Sequence, residues 1–204
     1  MASIQNTASG MGGRVNWRRL AAVLLPSLAA AAVLVVLTAQ SVIAVSFSIS
    51  GTPFTVTAKQ LKGQGFEQFV IVDHSAGKVL PGNSREIGLT ANSIRSATLT
   101  DLCQSLKVGG LTLRITAGTG SQPVRASNLV VDADRLSGNA SFTHIQIGRD
   151  ASTLNEVPGV TGPPGEFGQQ AETVTIDNLR QHAYATTAGT FTLPDFSLSF
   201  GGSC

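Results

Sequence analysis

Alternation of apolar and polar residues constrains the fold of this chain more than any other feature of its sequence. After residue 46 it recurs in short runs such as FTVTA at 54–58, LTLRIT at 111–116 and TVTI at 173–176. A period of two residues is typical of a β-strand with one face on a core and the other in water. No stretch of this region keeps the 3.6-residue period of an amphipathic helix. The sequence therefore predicts a mainly β domain over residues 46–204.

Clusters of Gly, Asn and Pro separate these runs and predict turns between the strands. The clusters are Gly63–Gly65, Pro81–Asn83, Gly109–Gly110, Gly118–Gly120 and Gly201–Gly202. Short strands with frequent turns favour an antiparallel β-sandwich or a curved sheet. A β-solenoid-like arrangement stays open as the alternative, because the domain contains weak internal repeats.

Two sequence patterns recur inside this domain. An apolar–polar–Asx–Leu frame occurs at Leu99–Leu102, Ala126–Leu129 and Ile176–Leu179. Separately, the Ala, Leu, Gly and Phe at positions 58, 61, 63 and 66 resemble those at 133, 136, 138 and 142. The frames are unevenly spaced along the chain, which fits a repeated strand–turn unit better than a solenoid period.

Residues 20–39 form an uncharged segment, LAAVLLPSLAAAAVLVVLTA, directly after Arg18 and Arg19. Such a segment spans about 30 Å as a helix, which is the thickness of the hydrocarbon core of a bilayer. The preceding basic residues favour a cytoplasmic N-terminus and an exported C-terminus. We therefore expect a cytoplasmic tail over 1–19, a signal-anchor or transmembrane helix over 20–45, and an extracytoplasmic domain over 46–204. The alternative is a signal peptide cleaved near Ala44, which would release a secreted protein.

The distribution of charge argues against nucleic acid as a partner. The net charge is +2, yet from residue 46 onward 11 basic residues stand against 12 acidic ones. The domain therefore lacks the excess of positive charge that nucleic-acid binding requires. Charged residues make up 13% of the chain, where roughly 25% is usual for a soluble domain. This composition favours contact with a membrane, a lipid or an envelope partner.

The chain has two cysteines, Cys103 and Cys204. In an oxidising extracytoplasmic compartment such a pair predicts a disulfide, which would fasten the last residue of the chain to the domain. An intermolecular bond through Cys204 is the alternative. We expect no metal site, because two distant cysteines and three scattered histidines give no ligand spacing. The sequence indicates no cofactor either.

Ser75 is the candidate for a catalytic nucleophile. It follows an apolar run in DHSAG at 73–77, which is similar to the nucleophile elbow of lipases and esterases. Two features depart from that elbow: Asp73 replaces its first glycine, and Pro81 lies where it needs a helix. Other groups that a hydrolase would need from elsewhere in the fold are His144, His182, Asp132, Asp177 and Asp195. The sequence therefore favours a non-enzymatic domain.

Several longer stretches are distinctive. They are the WRR-led apolar segment, SFSISGTPFTVTAKQLKGQGF, Leu102–Gln104, PVRASNLVVDADRLSGNASFTHIQIG, GEFGQQAETVTIDN and AGTFTLP. In these stretches the chain resembles an uncharacterised family of secreted or membrane-tethered proteins of filamentous, high-GC Gram-positive bacteria. Members are sometimes labelled cholesterol esterases. The resemblance also implies a small multi-spanning membrane protein as a partner.

Together these observations predict a membrane-anchored, non-enzymatic β domain that binds a lipid or another apolar ligand, or assembles with a membrane or envelope partner. One alternative is a cholesterol-esterase-like serine hydrolase that acts on lipid esters. Another is a purely structural surface protein, because Thr/Ser-rich strands with few charges are poorly protected against edge-to-edge self-assembly.

Overall fold

The structure, a computed structural model, describes residues 52–74 and 86–204. The expected cytoplasmic tail, the apolar segment within 20–45 and the candidate Ser75 lie outside these residues. In the part of the chain that is described, no helix has the length and apolar character needed to cross a bilayer.

The described residues form nine strands and one short 3-10 helix. They are β1 (Phe54–His74), β2 (Glu86–Thr100), β3 (Leu102–Val108), β4 (Leu111–Ala117), β5 (Val124–Thr143), β6 (Gln146–Asp150), the 3-10 helix (Ala151–Thr153), β7 (Phe167–Thr187), β8 (Thr190–Thr192) and β9 (Ser197–Phe200). All nine strands belong to one sheet, and every pairing in it is antiparallel. The prediction of a mainly β, antiparallel domain is confirmed.

Four long strands pair in a circuit. β1 pairs with β2, β2 with β5, β5 with β7, and β7 again with β1. β3 follows β2 along the same edge of β1, and β8 follows β7 along β5. β4 and β9 extend the sheet outward from β3, while β6 pairs with the start of β7. The main core draws buried apolar side chains from all four long strands.

β1 and β5 occupy equivalent places in this circuit, since each pairs with both β2 and β7. Phe66 of β1 and Phe142 of β5 are in contact, with ring centroids 5.4 Å apart. These two residues end the second pattern found in the sequence. In β1 the glycine of this pattern is Gly63, and the side chain of Ile94 packs closely against its backbone. A Cβ at this position would lie 2.7 Å from Ile94. The second pattern therefore marks two equivalent strands.

The apolar–polar–Asx–Leu frames mark changes of backbone direction, one between β2 and β3 and two inside the long strands β5 and β7. Their third residues, Asp101, Asn128 and Asn178, have φ angles of 53°, 46° and 54°. Both apolar ends of each frame are buried, although residues i and i+3 of a regular strand face opposite sides. The residue with positive φ rotates the chain, so that the apolar residues on both sides of it face the core. Asn and Asp tolerate this conformation better than other non-glycine residues. A strand–turn unit therefore describes the first frame, where Asp101 separates β2 from β3, whereas the other two frames lie inside β5 and β7.

Gly65 supplies the same bend in β1, with φ of 67°. The sequence predicted a turn at Gly63–Gly65, but β1 runs through these residues without interruption. That turn prediction is wrong. The turns predicted at Gly109–Gly110, Gly118–Gly120 and Gly201–Gly202 do lie at the ends of strands.

Replacing Asn178 tests the need for positive φ at a bend. We expect Asn178→Val to lower the free energy of unfolding by about 1–3 kcal/mol, because a β-branched residue is strained in the left-handed region. Asn178→Gly is the matched control and should unfold at nearly the urea concentration of the wild type. Equal stability of the two variants would show that the bend does not depend on this conformation.

Candidate functional site

An open cleft of about 580 Å³ lies where β1, β3, β7 and β8 meet. Its lining residues are Phe54, Gln104, Tyr184, Ala185, Thr186, Ala188 and Phe191. None of them carries a charge, and most of their side chains are apolar or aromatic. An apolar concavity with a few polar groups is the usual form of a site for an apolar small molecule.

Behind the cleft, the core contains a cavity of about 40 Å³. Gln104, Thr186 and Phe191 line both the cavity and the cleft. The cavity is far smaller than the roughly 300–1,000 Å³ of a typical ligand pocket. Phe191 is 41% exposed, so its ring lies partly in the core and partly at the surface. Phe191 is therefore one of three residues at the boundary between the cleft and the cavity.

The floor of the cleft continues outward as an apolar surface. Phe54 pairs across the sheet with Leu106, Leu106 with Leu113, and Leu113 with Phe200. Direct cross-strand partners share one face of a sheet. We call this surface the apolar flap; it comprises Leu106, Val108, Leu111, Leu113, Ile115, Leu198 and Phe200. Its outer side chains are exposed, with 60% for Leu111, 51% for Leu198 and 66% for Phe200.

The opposite face of the same three strands is polar, and the C-terminal residue contacts it at Cys103 and Ser105. Ser105 pairs with Arg114, and Arg114 with Ser199, on this face. Cys103 and Cys204 lie at disulfide distance, with an S–S separation of 2.03 Å and a Cα–Cα separation of 5.8 Å. The backbone N–H of Cys204 donates to Oγ of Ser105. The sequence correctly predicted that these two cysteines come together.

The two described histidine side chains each contact a carboxylate. Nδ1 of His182 lies 2.7 Å from Oδ1 of Asp134, and Nδ1 of His144 lies 2.9 Å from Oε2 of Glu172. The sequence analysis had instead considered three other carboxylates as partners, Asp132, Asp177 and Asp195. Asp177 accepts a hydrogen bond from Gln60 at 2.6 Å. The sequence offered those three carboxylates without indicating a pairing, and the strand register brings other acidic residues to the histidines.

The His182–Asp134 pair lies at the rim of the cleft. The ring of His182 meets Tyr184, a cleft residue, edge-on with centroids 5.7 Å apart. The register of β7 places His182 opposite Thr55, near the beginning of β1. His74, which directly precedes Ser75, ends the same strand. A long stretch of β1 therefore separates His182 from the point where the candidate nucleophile follows.

Two described carboxyl groups have raised pKa values. Burial, with a smaller contribution from the Asp73 carboxylate, raises the pKa of Asp132 to about 6. Burial also raises the pKa of Glu67, although the backbone N–H groups of Val157 and Glu156 oppose this shift. Neither residue lines the cleft. Among residues 52–74 and 86–204, no group of three His, Cys, Asp or Glu side chains could hold a metal ion.

Sequence reasoning missed the cleft residues. Alternation placed Phe54 and Phe191 in strands, but it does not show which strands meet. The sequence did contain a sign that Glu67 is unusual, because it is the one charged residue in the mainly apolar run GFEQFVIV. Carboxyl groups are seldom buried in proteins.

A model of a family of unknown function, DUF6230, matches residues 50–204. The chain belongs to the DUF6230 family. The matched region begins just before β1 and includes the cleft, the apolar flap and both cysteines of this DUF6230 protein. No curated protein and no solved structure matches the chain.

Proposed function

We propose that this DUF6230 protein binds a lipid or another apolar molecule in the cleft, as a non-enzymatic domain held at the outer face of a membrane. The three residues that line both the cleft and the core cavity are the observation that carries the proposal. Gln104, Thr186 and Phe191 belong to both spaces, so an apolar group entering the cleft finds more apolar surface behind it. Burial of that surface supplies the affinity.

The proposed position of the ligand follows from the chemistry of the lining. Its apolar part contacts Phe54, Ala185 and Phe191, and its polar part stays near Tyr184 and Gln104. Ligand pockets commonly combine an apolar lining with a few polar groups that set orientation. The absence of charge among the lining residues favours a neutral or zwitterionic ligand over an anionic one.

The proposed location rests on the sequence. Residues 20–45 would cross the membrane once, with the N-terminus in the cytoplasm, or would be removed near Ala44 to release the domain. The resemblance to proteins of filamentous, high-GC Gram-positive bacteria adds a small multi-spanning membrane protein as a proposed partner. A membrane tether would keep the cleft close to a source of lipid.

Two substitutions in the cleft test the proposal. Phe191→Ala removes an apolar contact of the proposed ligand, so we expect binding of a fluorescent acyl-chain probe to weaken severalfold. Ala185→Trp fills the cleft and should weaken binding at least tenfold. The matched control is Phe196→Ala, since Phe196 is 53% exposed and does not line the cleft. Equal affinities of all these proteins would refute the proposed site.

Mass spectrometry identifies the ligand and the state of the N-terminus together. We expect protein extracted from its own membranes in mild detergent to retain residues 1–44 and one lipid per chain. A chain that begins near Val45 would support the secreted alternative. A full-length chain without bound lipid, together with no probe binding, would contradict the proposed function.

Hydrolysis of lipid esters is a second candidate function. The observation in its favour is the His182–Asp134 pair beside the cleft residue Tyr184. It needs a nucleophile, and it would agree with the cholesterol esterase label of similar proteins. The sequence offers Ser75, but Ser75 follows the far end of β1 from the end where His182 pairs, so this candidate is less favoured than binding. Turnover of a chromogenic ester that is lost in both Ser75→Ala and His182→Ala would establish it in place of simple binding.

Self-assembly is the structural alternative. β9 ends the sheet, and Ser197–Phe200 carries no charged side chain to discourage pairing with another strand. An oligomer that dissociates when Ser199→Lys is introduced would support this function. Lysine on an edge strand is a common device against edge-to-edge association.

A further inference from the structure

We propose that the apolar flap is a docking surface for the lipid bilayer itself, so that the cleft opens toward the membrane. This inference rests on the proposed membrane tether, but it does not depend on which ligand the cleft binds.

The two faces of β3, β4 and β9 differ in polarity. The C-terminus contacts the polar face at one place, where Cys204 joins Cys103 and its N–H donates to Ser105, while Lys107, Arg114 and Ser199 on this face are exposed to water as polar side chains usually are. The apolar flap on the other side keeps its large side chains in solvent, including Leu111 and Phe200 at 60% and 66% exposure. A contiguous exposed apolar patch on a globular domain marks an interaction surface.

The apolar flap and the rows that it continues contain no charged side chain. The flap continues two cross-strand rows: Phe54, Leu106, Leu113 and Phe200 in one, and Val56, Gln104, Ile115 and Leu198 in the next. No charged residue occurs in either row, whereas Arg114 and Lys107 lie on the opposite face by strand alternation. A surface with aromatic and aliphatic side chains and no charge suits the boundary between headgroups and acyl chains.

A short stretch of chain connects the apolar segment to the beginning of β1. The apolar segment ends at Ala39, and β1 begins at Phe54, which belongs to the first of these rows. The intervening 14 residues can reach at most about 50 Å when fully extended. The chain from the apolar segment therefore enters β1 at Phe54, the cross-strand neighbour of Leu106 in the flap. Tethering also makes even weak surface binding effective, because it becomes intramolecular.

Neighbouring residues of β9 provide a matched test. Phe200 lies on the flap, whereas Ser199 pairs with Arg114 on the polar face. The full chain, with its single Trp17 changed to Phe, is reconstituted in phosphatidylcholine vesicles that contain brominated phosphatidylcholine. We expect the bromine to quench the fluorescence of Phe200→Trp at least twofold and that of Ser199→Trp by less than a tenth.

Three results would overturn the proposal. Equal quenching at the two positions would show that the flap has no preferred orientation toward lipid, and no quenching at position 200 would show that it faces away. Quenching that vanishes when vesicles hold fewer than one chain on average would indicate a second copy as the occupant.

Extraction of the same vesicles with alkaline carbonate separates this inference from its premise. A chain that washes off refutes the tether, and the docking proposal with it. A chain that stays while position 200 remains unquenched refutes the docking surface alone.

Discussion

Reduction of the bond between Cys103 and Cys204 is expected to lower the free energy of unfolding by about 4–5 kcal/mol. The bond joins residues that are 101 positions apart in the sequence. Chain-entropy models give this size of effect for a loop of roughly 100 residues, because the cross-link restricts the unfolded chain. The measurement is urea unfolding with and without a reducing agent.

The structure predicts where the reduced protein loosens first. β9 pairs only with β4, over four residues from Ser197 to Phe200, and the disulfide holds the chain just beyond it. After reduction, hydrogen exchange should accelerate at Gly201, whose N–H donates to the carbonyl of Thr112 at 2.8 Å. Amides of the β1–β7 pairing should change less, since both strands lie in the central circuit.

A double variant, Cys103→Ser with Cys204→Ser, is the control for the reducing agent. Its stability should match that of the reduced wild type and should not respond to reductant. If reduction changes the unfolding free energy of the wild type by less than 1 kcal/mol, the bond does not contribute as the loop length implies.

The sequence was sufficient for the class of fold, because strand alternation is a local property. FTVTA and LTLRIT lie in β1 and β4, as their period of two requires. Strand length was not predictable in the same way. Gly63 and Gly65 look like a turn in the sequence. In the structure Gly63 allows Ile94 to pack closely against β1, and Gly65 bends that strand. Glycine serves turns, bends and close contacts alike, and only the neighbouring strands decide which.

The Asx frames also show that a pattern visible in the sequence does not by itself reveal its structural role. The repeat at Leu99, Ala126 and Ile176 is visible in the sequence, but its meaning depends on which faces are buried. The cleft is still harder to foresee, because Phe54, Gln104 and Phe191 come from distant parts of the chain and meet through strand pairing. The cysteines were predictable because the chain has one pair, whereas the partners of the histidines depend on register.

Glu67 is expected to make the domain less stable as the pH rises. Its side chain is fully buried, and Oε1 accepts a hydrogen bond from the backbone N–H of Val157 at 2.7 Å. Oε2 and Oγ of Ser93, its cross-strand neighbour, have no hydrogen-bond partner among the described residues. Burial therefore raises the pKa of Glu67 above its ordinary value of 4.5. A carboxylate in this position is less favourable than the protonated acid.

The sign of the effect follows from the two protonation states. Below about pH 4 the Glu67 carboxyl is protonated in the folded and the unfolded chain, so it does not oppose folding. As the pH rises, the unfolded chain loses this proton first, and the stability of the fold decreases until the folded pKa is passed. The Asp132 carboxyl, with its pKa raised to about 6, acts in the same direction.

Comparison with Glu67→Gln isolates the contribution of Glu67 from that of Asp132. The amide keeps an acceptor for the N–H of Val157 and never ionises, so we expect this variant to be more stable than the wild type by about 1–3 kcal/mol at pH 7. At pH 4 the two proteins should unfold at nearly the same urea concentration. Glu86→Gln, at an exposed position at the start of β2, should behave as the wild type at both values. A Glu67→Gln protein that is less stable than the wild type at pH 7 would mean that the ionised carboxylate is a preferred partner of the Val157 amide. In that case its hydrogen bond would outweigh the loss of hydration.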